Sequence, residues 1–119
     1  MDKFAHGEQL PDKIINFLFN KNFIYINNIM NKYLVEFLGT MFLMFVIFAT
    51  GHWLAIGAAL AIVVFIGGPI SGGAYNPAVA ISLYNAGKLA KSDVLPYIIV
   101  QVLGALSGFY AYKKFVNKG

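Results

Sequence analysis

Three long apolar runs dominate the chain, at residues 33–50, 54–69 and 94–112, with short polar breaks between them. As a helix the first is about 27 Å long, close to the roughly 30 Å of a bilayer core. Each run therefore predicts a transmembrane helix. Gly51-His52-Trp53 is a very short connection between the first two. Trp53 stands where an aromatic-belt residue sits, and His52 reads as interfacial. The second run is rich in small residues (Gly57, Ala58, Ala61, Gly67, Gly68), so neighbours can approach it closely. In the third, Gly104 and Gly108 form a GxxxG face for tight packing. Asp93 is placed to cap that helix, with Pro96 tolerated in its first turn.

Between the second and third runs lies Ser71-Gly72-Gly73-Ala74-Tyr75-Asn76-Pro77-Ala78-Val79-Ala80. An Asn-Pro pair is a helix start. The Asn side chain accepts from an orphan N–H, and Pro arrives with its φ already set. The helix that follows meets a stop at Gly87, so it is about 15 Å long, half a span. Backbone that does not span is tolerated at membrane depth only where it is buried in protein or lines a cavity. The prediction is an all-α membrane protein with three transmembrane helices plus one re-entrant half-helix. Three regions follow: a polar or interfacial tail at 1–32, the membrane domain at 33–112, and a basic tail at 113–119. An odd number of spans puts the termini on opposite sides. In the tail, Ile15, Leu18, Phe19, Phe23, Ile26 and Ile29 recur at spacings that fit a helix lying on the membrane. A loosely ordered tail fits as well. A signal peptide does not, because the first strong apolar run starts too late.

Composition supports a membrane protein. The chain is 59% hydrophobic and 12% charged, with mean hydropathy +0.68, against about 25% charged residues in soluble domains. There is no cysteine, hence neither a disulfide nor a thiolate metal site. The net charge of +4 comes from lysines that flank the apolar runs, where membrane proteins carry them, and no basic patch points to nucleic acid. No serine has a histidine or acid in a nucleophile setting. Gly72-Gly73 is not a phosphate loop. No enzyme, cofactor or metal is expected.

Two hydrophilic side chains lie inside the spans, Glu36 in the first turn of the first and Gln101 near the middle of the third. Facing lipid they would cost several kcal/mol, roughly, so both should face the interior. One reading has them satisfy the irregular backbone of residues 72–75. The other makes them a proton relay or a substrate contact.

Glu36-Phe37-Leu38-Gly39-Thr40 resembles the Glu-Phe-x-Gly-Thr signature of the aquaporin family, the major intrinsic proteins. The loop from Ser71 to Val79 resembles that family's Ser-Gly-(Ala/Gly)-x-x-Asn-Pro-Ala-Val loop, and Gln101 with Gly104 its Gln-x-x-Gly. The likeness covers roughly residues 33–112. It implies half of an inverted repeat and a channel for water or small neutral solutes such as glycerol. In the family two half-helices meet tip to tip at the membrane centre. Their Asn side chains donate to passing oxygens, and the positive helix ends oppose cations and protons. By resemblance Asn76 has that role, Pro77 and Ala78 hold the tips together, Gly73 and Val79 border the pore, and Glu36 and Gln101 support the loop. The chain departs from the family in having one motif of two and no arginine. Ile56 or Val64 stands where an aromatic or histidine would narrow the pore, which implies a more apolar one.

An inverted repeat is restored if two copies insert in opposite orientations. Lys32, Lys88 and Lys91 lie near span ends on one side, with Lys21 farther out, and Lys113, Lys114 and Lys118 on the other. The bias is small, so dual insertion and an antiparallel homodimer, alone or in a larger assembly, are expected. Two alternatives stand beside it: a non-conducting half that needs a different partner chain, and a viral membrane-permeabilising protein.

Overall fold

The computed structural model describes Leu10 to Asn117, with side chains from Asp12, and in that stretch the chain is helical throughout apart from its connections. The helices are α1 (Leu10–Thr50), α2 (Trp53–Ser71), α3 (Pro77–Asn85) and α4 (Lys91–Phe115). Two units divide the chain, Met1–Met30 and Asn31–Gly119. Lys118, assigned above to the basic tail, lies outside the described residues.

The first unit is helical from Leu10. Asp12 lies in the first turn, where a negative charge suits the helix dipole. Its side chains from Asp12 to Asn28 are exposed, and Phe19 stacks on Phe23 at 6.5 Å between ring centroids. The sequence placed the start of the first span at Tyr33 and left the stretch before it open between a helix and a loose tail. The helix begins far earlier because nothing after Pro11 in this segment breaks it, and Pro is tolerated in a first turn.

In the second unit the 51–52 connection is capped from both sides. Gly51 takes a left-handed φ of +57° and donates to the Ile47 carbonyl, closing α1. His52 opens α2, its Nδ1 accepting from Leu54 N–H at 3.2 Å. Such a turn makes α2 run back along α1. Helix α4 instead runs parallel to α1. At one end Asp93 meets Lys32 and Tyr33. At the other, the Phe48 ring packs on Phe109 at 4.9 Å and on Tyr112 at 5.7 Å. Between these ends the backbones nearly touch. A Cβ on Gly104 would collide with the Phe37 carbonyl, and one on Gly108 with that of Met41. The GxxxG face thus packs against α1. Lacking a hydrophobic drive between helices in lipid, such close approach is what holds them together.

Asp93 does not cap α4. The helix starts two residues before it, with Ala90 as an N-cap that offers no side-chain bond. Asp93 therefore sits in the first turn, buried. Its Oδ2 pairs with Lys32 Nζ at 2.6 Å and its Oδ1 accepts from Tyr33 OH at 2.7 Å. Helix α2 likewise runs past Pro69 to Ser71. All three spans are long and apolar enough to cross a membrane, so the protein is an integral, multi-pass membrane protein.

Candidate functional site

Helix α3 has nine residues, about 14 Å. Asn76 is its N-cap: Oδ1 accepts from Ala78 N–H at 2.7 Å, and Pro77 occupies the first turn. With its oxygen committed to the cap, the exposed Asn76 side chain keeps its amide NH₂ as the group left to donate. At the other end Ala86 precedes Gly87, whose φ is +76°. Lys88 N–H bonds the Leu83 carbonyl and Gly87 N–H that of Tyr84, a Schellman closure. Helix α3 is seated by Ala80, which is fully buried in a cluster with Ala74 and Tyr97.

Residues 72–75 connect α2 to that tip, with left-handed φ at Gly72 (+91°), Gly73 (+65°) and Tyr75 (+54°). Gly72 N–H closes α2 on the Gly68 carbonyl, and the next donors, from Ala74 and Tyr75, go to Glu36. Oε1 accepts from Tyr75 N–H at 2.7 Å and from Gln101 Nε2 at 2.9 Å. Oε2 accepts from Ala74 N–H at 3.0 Å and from Ser71 Oγ at 2.7 Å. Glu36 is 0% exposed and Gln101 1%. Ser71 Oγ also accepts from Gly73 N–H at 3.1 Å. One carboxyl group on α1 thus gathers the end of α2, the loop and α4. Gln101 is held by its donor end, and its Oε1 is buried without a partner.

Three further residues complete the support, and the sequence did not single them out. Tyr75 is buried and its OH donates to the Val63 carbonyl at 2.5 Å. Its ring lies between α1 and α2, where a Cβ on Gly39 or Gly67 would strike it. Tyr97 OH donates to the Ser71 carbonyl at 2.7 Å. Thr40 Oγ1 donates to the Glu36 carbonyl at 2.7 Å and lies 3.4 Å from that of Tyr75. A signal for Tyr75 was present in the two glycines that make room for it. Nothing in the spacing marks Tyr97.

The other candidate residues divide by position. Asn76, Ala78 and Val79 are exposed at the tip, and Pro77 and Gly73 are half-buried. Gly73 lies against the α2 backbone at Val64 and Gly68, which puts Val64 level with the loop. Ile56 is two turns earlier on α2, about 12 Å along the axis. Gly104 and Gly108 are away from the tip, in the α1–α4 contact. Among the described residues no group of histidine and acidic side chains could hold a metal.

Three spans with a capped half-helix, held by a buried carboxyl group, define a membrane protein of the re-entrant-helix class. The major intrinsic protein family matches residues 50–119, and the chain belongs to that family. It is 40% identical over 97 residues to glycerol uptake facilitator protein-like 6 of Lactiplantibacillus plantarum, covering 74% of this chain and 45% of that one. To aquaporin Z of Brucella melitensis it is 38% identical over 93 residues, covering 66% and 41%. To aquaporin AqpM of Methanothermobacter thermautotrophicus it is 48% identical over 59 residues, covering 46% and 24%. The chain thus spans less than half the length of these relatives. No solved structure matches it.

Proposed function

We propose that this chain is one half of a channel for water or small neutral solutes such as glycerol, with Asn76 as the donor that meets the permeant. The observation that carries this reading is the Asn76 cap: the oxygen is bound to Ala78 N–H, which leaves the NH₂ of this exposed side chain to donate at the positive end of α3. A permeant oxygen there gains a hydrogen bond, while a cation meets a positive helix end. The relatives named as aquaporins and a glycerol uptake facilitator support the same solute class. With no arginine in the chain, and Val79 and Val64 near the tip, the lining is more apolar than the family pattern.

A second half-helix completes the pore, and we assign it to a second copy inserted the other way up. Lys32, Lys88 and Lys91 on one face against Lys113 and Lys114 on the other leave little orientational bias. Helix α2 also carries an open stripe at Gly57, Ala61, Val64 and Gly68; the two glycines have no neighbour within 4 Å of a built Cβ. Small residues of this kind let membrane helices associate.

The test is osmotic swelling of proteoliposomes in water and glycerol gradients, comparing the parent chain with Asn76→Asp. Aspartate still caps α3 but has no amide to donate, so flux should fall with the fold retained. Parent permeability equal to that of empty vesicles would overturn the channel reading. A single fixed orientation, with every N-terminal tag accessible from one side and every C-terminal tag from the other, would overturn the antiparallel pair and leave the channel reading standing.

A further inference from the structure

We infer that the α1–α4 groove near the C-terminal end of α4 is a binding site for an anionic phospholipid. The groove holds about 290 Å³ and is lined by Met44, Phe48, Ala105, Leu106 and Phe109. Since about 10–15 Å³ of such space already holds one water, the groove has room for a stretch of acyl chain. All of these lining side chains are apolar, and the groove lies within two spans, where the surrounding medium is lipid. What distinguishes it is the cation beside it. Lys113 Nζ lies over the Phe109 ring, 6.0 Å from its centroid, and Phe109 is a wall of the groove. Helix α4 has 25 residues, about 37 Å, against a hydrocarbon core of roughly 30 Å. Its last turn, which carries Lys113, therefore reaches the headgroup layer. An acyl chain in the groove would bring its own phosphate to that lysine. A second apolar groove, between α1 and α2 over Tyr75, is lined by no cation and has nothing to choose one headgroup over another.

Lys114 serves as the internal control. It is the neighbouring charge in the same turn, but its Nζ lies over Phe115 at 5.6 Å, and Phe115 does not line the groove.

The chain has one tryptophan, so the double variant W53F/F109W places a single fluorophore in the groove wall. Reconstituted whole into vesicles of brominated phosphatidylglycerol or brominated phosphatidylcholine, it should be quenched by both. The relative binding constant should favour the anionic lipid about fivefold, the size of one lysine's attraction to an anionic headgroup. Adding K113Q should bring the ratio close to one, and adding K114Q should leave it unchanged. Three results would overturn the site: no preference between the two lipids, equal loss from K113Q and K114Q, or no quenching by either lipid. The last would mean that protein, such as a second copy, covers the groove.

Discussion

Glu36→Gln is the sharpest single test of how the half-helix is held. Four donors converge on two carboxyl oxygens: Tyr75 N–H and Gln101 Nε2 on one, Ala74 N–H and Ser71 Oγ on the other. Glutamine replaces one oxygen with a donor. If the new NH₂ takes the Oε1 position, Gln101 can turn and accept with its free Oε1, but Tyr75 N–H is stranded. If it takes the Oε2 position, Ser71 can turn its hydroxyl to accept, but Ala74 N–H is stranded. Neither arrangement avoids one buried, unpaired backbone N–H, which costs about 1–3 kcal/mol. Glu36→Ala strands both backbone donors and the Gln101 amide, while Ser71 can fall back on the Gly67 carbonyl, 3.4 Å away. Three orphans at about 1–3 kcal/mol each put that loss well above the glutamine variant. Against a typical total stability of about 5–15 kcal/mol, it would leave little folded protein. Titration of the purified chain from a mild detergent into a denaturing one, followed by circular dichroism and the Trp53 emission, gives both values. The expected order is parent, then glutamine, then alanine, with clear gaps. If all three unfold together within about 0.5 kcal/mol, the loop donors are satisfied by something other than Glu36 and the reasoning fails.

Gly104→Val should drive a side chain into the Phe37 carbonyl and cost at least the about 1–3 kcal/mol of an overpacked contact, read in the same titration. Gly57→Leu meets open space, so it should leave the fold of the single chain intact while lowering both the crosslinked dimer and proteoliposome flux, as the proposed pairing requires. Asp93→Asn should cost up to about 1 kcal/mol, because Lys32 keeps 24% exposure, and the difference from the parent should shrink in high salt.

The helices were legible because their causes are local. Apolar runs of bilayer length give the spans, and an Asn-Pro pair beside Gly87 gives a short helix with two readable ends. Glu36 and Gln101 were legible because a polar side chain inside a span needs a partner, and the irregular backbone after Ser71 supplies one. The roles that escaped depend on which faces meet. Asp93 looks like a cap in one dimension, yet the helix starts upstream and the carboxylate finds Lys32 and Tyr33 across 60 or so residues of chain. Tyr97 has no signal of its own, since only the packing of α4 beside the loop brings its hydroxyl to the Ser71 carbonyl. The helical stretch before Tyr33 was ambiguous because its asparagines and isoleucines fit a helix or a loose chain equally well.

The half-helix divides into a settled side and an open one, and that division is itself an argument for pairing. On the inner side the strained loop has its donors taken by Glu36 and Ser71, Tyr75 is wedged between two helices, and Ala80 is fully buried. On the outer side Asn76 offers an amide with its own oxygen already used, next to exposed Ala78 and Val79 and the open glycines of α2. Facing lipid, that unpaired amide would cost several kcal/mol, roughly, and backbone at a half-helix tip would be exposed where lipid-facing irregular structure is not found. A face that excludes lipid but admits water removes both costs. Under the proposed reading a second inverted copy supplies it, so pairing and permeation should fail together in Gly57→Leu, whereas Asn76→Asp should lose permeation and keep the pair.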